Sequence, residues 1–132
     1  MEAKCSCGSL RVEMPGPTDA VVACHCRDCQ HRSGSPFGVG AYYETSSLKF
    51  SGEPRKYERD TATGGTFTTW FCPTCGTSLY WQAGKHPTMT GVAIGCIEST
   101  HFPPPIRSVW EQSKHHWVEI GTALERFEKG RP

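Results

Sequence analysis

The sequence contains no long apolar run, and this absence limits where the protein can act. The stretch from Met1 to Cys7 carries Glu2 and Lys4 and lacks the apolar core of a signal peptide. No segment approaches the roughly 18 consecutive apolar residues that a membrane helix requires. We therefore expect a cytoplasmic protein with no membrane partner, whose thiols are kept reduced.

An excess of charge of either sign is also missing. The 14 Lys and Arg residues nearly balance the 13 Asp and Glu residues, so the formal net charge is +1. A protein that grips a polyanion ordinarily carries a clear basic excess, so we expect no nucleic-acid partner. The length of 132 residues favours a single domain, 1–132. A domain of this length buries only a modest apolar core, and a bound metal would stabilise the fold.

Long uninterrupted segments are scarce, which excludes a fold of long helices. The 14 glycines and 10 prolines divide the chain into short segments, most of them β-rich or alternating in polarity. The predicted strands are 10–14, 20–23, 39–43, 48–50, 66–71, 78–81 and 89–95. Two short helices are predicted near 28–33 and 122–127, with Asp28 and Thr122 as N-caps. The predicted fold class is mainly β, built of small antiparallel sheets.

Cysteine, in contrast, is abundant, and seven of the eight cysteines lie in three short motifs. The motifs are Cys5-Ser6-Cys7-Gly8, Cys24-His25-Cys26-Arg27-Asp28-Cys29 and Cys72-Pro73-Thr74-Cys75-Gly76. In a reducing compartment such motifs bind metal more often than they form disulfides, which are the less favoured alternative. An extended C-x-C pair points both sulfurs to one side, whereas a C-x-x-C pair needs a tight turn.

Seven clustered thiols divide into a group of four and a group of three. Zn²⁺ binds thiolates as a tetrahedron, so four thiolates close a site and three leave one position open for a substrate. Contiguity favours three thiols for the open, catalytic zinc: Cys24, Cys26 and Cys29. The closed, structural zinc then takes the other four: Cys5, Cys7, Cys72 and Cys75. The sequence therefore predicts two Zn²⁺ per chain.

Two closed sites are the main alternative. Cys96, His25 or His31 would then complete the second tetrahedron, and the protein would be a non-catalytic zinc-binding interaction module. In an extended segment His25 points away from the metal of its neighbours. Cys96 follows the apolar segment 92–95, where an isolated cysteine is usually a small buried hydrophobe. A redox enzyme with Cys96 as its nucleophile is a further rival.

Taken in order, the three motifs resemble those of the glutathione-dependent formaldehyde-activating enzyme family, which includes the centromere protein V-type domains. The likeness covers nearly the whole chain, since it also takes in 33–37, 104–105, 109–110 and Trp117. The resemblance implies a β-tent of small antiparallel sheets around zinc, with the same four-plus-three division of ligands. It also implies a carbon–sulfur lyase that acts on a thiol–aldehyde adduct such as S-hydroxymethylglutathione. This chain is similar to the compact branch of the family, so we expect it to lack any glutathione-contacting segments that only longer members have.

Residues beside the predicted catalytic zinc are candidates for the remaining roles. The expected partner is a small-molecule thiol or aldehyde adduct, with glutathione as a candidate co-substrate. Its formation or breakdown needs a proton shuttle, for which His25 and His31 are candidates. Arg27 and Arg32 are candidates for contacts with the carboxylate of the thiol. A zinc that carries three thiolates is a weak Lewis acid, which favours a soft sulfur ligand over hydroxide.

Overall fold

Two β-sheets and one short helix make up the regular structure. The computed structural model describes residues 1–131. In that range there is one α-helix, α1 at Arg27–Ser33, and there are short 3₁₀ turns at Thr45–Ser47, Ile94–Cys96 and Glu111–Ser113. The strands are β1 Glu2–Lys4, β2 Arg11–Glu13, β3 Val21–Cys24, β4 Gly38–Glu44, β5 Lys49–Ser51, β6 Arg55–Asp60, β7 Thr66–Phe71, β8 Ser78–Ala83, β9 Met89–Ala93, β10 Arg107–Val109 and β11 Glu125–Arg126. The predicted mainly β class is confirmed. None of the helices in 1–131 is both long enough and apolar enough to cross a membrane.

The smaller sheet is antiparallel, with the order β1-β2-β5. Its inner face follows the expected alternation, because Val12 is buried between the exposed Arg11 and Glu13. Ala3 of β1 pairs with Val12 and also forms an isolated antiparallel bridge with Ile97. This bridge joins the small sheet to the turn that follows β9.

The larger sheet has eight strands in the order β11-β10-β3-β4-β9-β8-β7-β6. Its pairings from β3 to β6 are antiparallel, whereas β10 pairs in parallel with both β3 and β11. The predicted helix at 122–127 is wrong, since Glu125–Arg126 is a strand. The backbone N–H groups of Glu125 and Phe127 donate instead to Ile106 and Ser108 across the sheet.

A single apolar core fills the space between the two sheets. Its buried members include Leu10, Val12, Val21, Leu79 and Val92. Cys5 and Cys72, each 1% exposed, belong to the same cluster. The first cysteine group therefore lies at the edge of the core, where a bound ion would stabilise both sheets.

Two glycines on neighbouring inner strands make room for the buried indole ring of Trp81. A Cβ atom on Gly40 would lie 2.6 Å from the Trp81 ring, and one on Gly91 would lie 2.3 Å from Trp81 Nε1. Only glycine at both positions lets the indole lie across β4 and β9. The indole N–H donates to the Tyr42 hydroxyl at 3.1 Å, and the Arg32 guanidinium stacks 4.0 Å above the ring. The ring thus holds the side chain of Arg32, a residue of α1, against the sheet.

Candidate metal centres

The structure brings the four thiols of the first group together. The Sγ atoms of Cys5, Cys7, Cys72 and Cys75 all lie within 4.8 Å of one another. Cys7 Sγ is 3.7 Å from Cys5 Sγ and 3.6 Å from Cys72 Sγ. A tetrahedron with Zn–S bonds of about 2.3 Å has S···S edges of about 3.8 Å. The group therefore fits a four-coordinate zinc ion.

Two matching turns carry these thiols. Gly8 N–H donates to Cys5 C=O at 3.0 Å, and Gly76 N–H donates to Cys72 C=O at 2.8 Å. Both glycines have positive φ angles, 80° and 78°, which favour glycine over residues with a side chain. The extended conformation expected for the C-x-C pair is thus wrong here, because Gly8 closes a turn around Cys5 and Cys7.

Hydroxyl and amide donors surround the sulfurs of this group. Ser9 Oγ lies 3.0 Å from Cys7 Sγ and 3.3 Å from Cys72 Sγ, and its hydrogen bond lowers the pKa of Cys72 to about 7. The Thr77 hydroxyl and backbone N–H lower the pKa of Cys75 to about 5. These donors favour the thiolate, which is the form that binds zinc. The sequence analysis missed them, although Cys-Gly-Ser and Cys-Gly-Thr repeat the same pattern in both turns.

The second group joins the end of a strand to the start of the helix. Cys24 ends β3, Cys26 is the N-cap of α1, and Cys29 lies in the first turn. Cys26 Sγ accepts the N–H of Cys29 at 3.3 Å, and the three Sγ atoms lie within 4.8 Å of one another. Within residues 1–131 no fourth His, Cys, Asp or Glu side chain joins this group. The three side chains considered as a fourth ligand, His25, His31 and Cys96, stand outside it.

The donor chemistry of the second group fits a cation. Hydrogen bonds from the Cys24 and Cys29 thiols lower the pKa of Cys26 to about 2. The corresponding bonds, first with Cys26 and then with Cys29, raise the pKa of Cys24 far above its usual value. Without a cation the three thiols would therefore not all ionise together. A soft divalent cation such as Zn²⁺ fits this donor set and would hold all three as thiolates.

A cavity of about 350 Å³ opens against this second group, between α1 and strands β6 to β8. Its charged and polar wall includes Cys29, His31, Arg32, Asp28 and Arg59. Aromatic rings of Tyr57, Phe67 and Phe71 complete it. A ligand in this cavity would therefore lie against Cys29, one of the three residues of the group.

The two arginines that line the cavity differ in whether an acidic side chain pairs with them. Arg59 forms an ion pair with Asp28 at 3.3 Å and stacks over Phe67 at 4.5 Å. Arg32 forms no ion pair with any residue in 1–131, and its buried Nε has no hydrogen-bond partner. Arg32 also lines a neighbouring cavity of about 470 Å³ that contains Cys96. It is therefore the cation in the wall whose charge is left for a ligand.

The candidate residues predicted from sequence are placed unequally. His31 and Arg32 both line the cavity. His25 is 0% exposed, and its Nε2 lies 2.9 Å from Ser108 Oγ. Because it does not line the cavity, His25 is not in position for the proton-shuttle role assigned to it. Arg27 is likewise outside, with its guanidinium donating to Gln30 Oε1. The sequence analysis missed Arg59, since no motif marks β6.

Comparisons with known proteins show a family and a fold that this chain resembles. The family model described as "Glutathione-dependent formaldehyde-activating enzyme" matches residues 1–116. A crystal structure of a Rhodobacter sphaeroides protein is similar, with a TM-score of 0.61 and 25% identity, covering 76% of this chain and 91% of that one. A curated relative, "Estrogen receptor beta" of Micropogonias undulatus, is 25% identical over 97 residues, or 73% of this chain. The match spans only 13% of that receptor's length.

Proposed function

Because this chain belongs to the glutathione-dependent formaldehyde-activating enzyme family, we propose that it is a zinc-dependent carbon–sulfur lyase. Its substrate would be a thiol–aldehyde adduct such as S-hydroxymethylglutathione or a related small thiol conjugate. The observation that carries the proposal is the cavity of about 350 Å³ with Cys29 in its wall. In this proposal Cys24, Cys26 and Cys29 hold the catalytic ion, and the group of four thiols holds the structural ion.

The reaction places two demands on the cavity. A zinc ion on three thiolates would supply a soft Lewis acid that favours a sulfur ligand. In the breakdown direction the carbon–sulfur bond breaks, the adduct's C–OH becomes the aldehyde C=O, and the hydroxyl proton passes to the departing sulfur. The protein must therefore move one proton between oxygen and sulfur and hold the remainder of the thiol in place.

His31 is the side chain best placed to move that proton. It is exposed on the wall of the cavity, one turn of α1 from Asp28 and two residues from Cys29. Imidazole is the side chain that most often transfers protons near neutral pH. We therefore assign the shuttle to His31, and His25 is left with a structural task.

Arg32 is the side chain best placed to hold an anionic thiol. Its guanidinium is stacked on Trp81, whose ring is held in place by Gly40 and Gly91, so little side-chain entropy would be lost when a carboxylate binds. Arg59 lies across the same cavity, but Asp28 already neutralises it. The geometry thus favours an adduct that carries a carboxylate over a neutral one.

The Arg32→Met variant tests this assignment. A charge-assisted hydrogen bond contributes roughly 1.5–3 kcal/mol. The KM for the glutathione–formaldehyde adduct should therefore rise about tenfold to a hundredfold. The KM for the uncharged adduct of 2-mercaptoethanol should change little. Arg55→Met is the matched control, because Arg55 is exposed and lines neither cavity described above. An equal loss with both adducts would contradict the carboxylate contact.

The reaction itself is tested with the purified zinc protein. Equilibrium mixtures of formaldehyde with glutathione or another small thiol are followed by NMR exchange spectroscopy. We expect the protein to accelerate exchange between free thiol and adduct, and His31→Gln to reduce that acceleration roughly a hundredfold, within the usual range for general acid–base catalysis. A protein that holds two zinc ions and accelerates none of these exchanges would instead support a zinc-binding interaction module.

A further inference from the structure

Every polar group of His25 except Nδ1 has a hydrogen-bond partner. Its backbone N–H donates to Val109 C=O at 3.0 Å. Its C=O accepts from Gln30 Nε2 and from the Ser113 hydroxyl, both at 2.8 Å. Its ring, packed against Phe37 with the centroids 5.3 Å apart, reaches Ser108 through Nε2. The residue between the ligands Cys24 and Cys26 is thus fixed largely by the segment 108–113.

The hydrogen bonds from His25 continue to a carboxylate. Ser108, 0% exposed, lies 2.7 Å from Glu111 Oε2. Burial acts to raise the pKa of Glu111, but the Ser108 hydrogen bond, Lys114 and Arg126 together lower it. The ionised carboxylate can only accept, so the single Ser108 proton is donated to Glu111. Ser108 must then accept from His25 Nε2–H, which fixes the tautomer and the orientation of the ring.

The last part of the chain supports this carboxylate. Arg126 Nη1 donates to Glu111 Oε2 at 3.1 Å, and Phe127 N–H donates to Ser108 C=O at 2.9 Å. Trp110, whose φ of 59° is unusual for a residue with a side chain, donates its N–H to Lys129 C=O at 3.0 Å. These contacts come from 126–129, beyond the residues 1–116 that the family model matches.

We infer that Ser108 and Glu111 are positioning residues of the three-thiol metal site and that 126–129 braces them. They contact neither the thiols nor the cavity, and they act through His25 on the backbone that carries Cys24 and Cys26. Groups that hydrogen-bond directly to metal ligands typically change metal affinity tenfold to a hundredfold when they are removed. Ser108 acts through the residue between two ligands, so we expect the lower end of that range. The inference rests on the proposed second zinc site, but its test is metal retention and not turnover.

The test measures zinc release from the two-zinc protein to a chromogenic chelator. In Ser108→Ala, release of the more labile ion should accelerate about tenfold, and release of the other ion should stay unchanged. Glu111→Ala should behave in the same way, because it leaves the Ser108 hydroxyl without its acceptor. Glu111→Gln keeps an acceptor oxygen and should recover most of the wild-type rate, which also guards against a poorly folded Ser108→Ala protein. Cobalt substitution provides a second readout, since the visible band of the three-thiol site should shift in the alanine variants alone.

Ser47→Ala is the matched control, because its hydroxyl bonds only to Glu44 C=O in the turn before β5. Acceleration of both ions to the same degree would point to general destabilisation and overturn the inference. So would unchanged release of the labile ion in Ser108→Ala and Glu111→Ala. A wild-type protein that binds one zinc would overturn the proposed function along with the inference. A wild-type protein that binds two zinc ions, with unaffected variants, would overturn the inference alone.

Discussion

Replacing Cys72 with serine is expected to unfold the protein at 25 °C. Cys72 is 1% exposed, belongs to the apolar core and shares its site with three other thiols. A structural zinc contributes folding free energy of roughly 10 kcal/mol, which is comparable with the whole stability of a domain of about 5–15 kcal/mol. Circular dichroism should show loss of the strand signal. Elemental analysis should find far less than two zinc ions per chain.

Cys96→Ser separates the metal effect from the simple loss of a half-buried thiol. Cys96 ends the turn Ile94–Cys96 and belongs to neither thiol group. Cys96 is a free cysteine. Because burial raises the pKa of its thiol, it is a poor nucleophile. Cys96→Ser should therefore fold and retain two zinc ions. If Cys72→Ser gave the same thermal unfolding midpoint as Cys96→Ser, the first group would not be a structural zinc site.

The sequence predicts the metal groups better than the surface around them. Within the second group the ligand spacing is local, so Cys24, Cys26 and Cys29 meet as soon as a strand runs into one turn of helix. The alternating pattern of 10–14 likewise predicts β2, where Val12 faces the core. Both are determined by neighbours in the chain.

Features that depend on strand order could not be predicted in this way. Arg59 reaches the cavity because β6 pairs with β7 at the edge of the larger sheet. The mostly exposed residues 55–60 carry no apolar pattern that would predict a strand there. Ser108 meets His25 because β10 pairs in parallel with β3. The segment 122–127 fails as a helix for the same reason, since its last residues satisfy their backbone groups against β10. These contacts join residues far apart in the chain, which no local pattern encodes.

The separation of the two thiol groups leads to an opposite expectation for Cys26→Ser. Cys26 is the N-cap of α1, where its sulfur accepts the Cys29 N–H at 3.3 Å. Serine is among the best N-cap residues, so α1 should survive, and the core does not include Cys26. The variant should fold, lose one of two zinc ions and retain the other.

Activity should fall far more than stability in Cys26→Ser. A catalytic metal supplies several kcal/mol of stabilisation, so the exchange of thiol with adduct should slow by roughly a thousandfold. Thermal unfolding monitored by circular dichroism should show only a small decrease in the midpoint, and elemental analysis should give close to one zinc per chain. Cys96→Ser, with two zinc ions and unchanged exchange rates, is again the matched control. Wild-type exchange rates in a Cys26→Ser protein that holds one zinc would show that the three-thiol group is not the site of the reaction, because the remaining ion lies in a group with no open position.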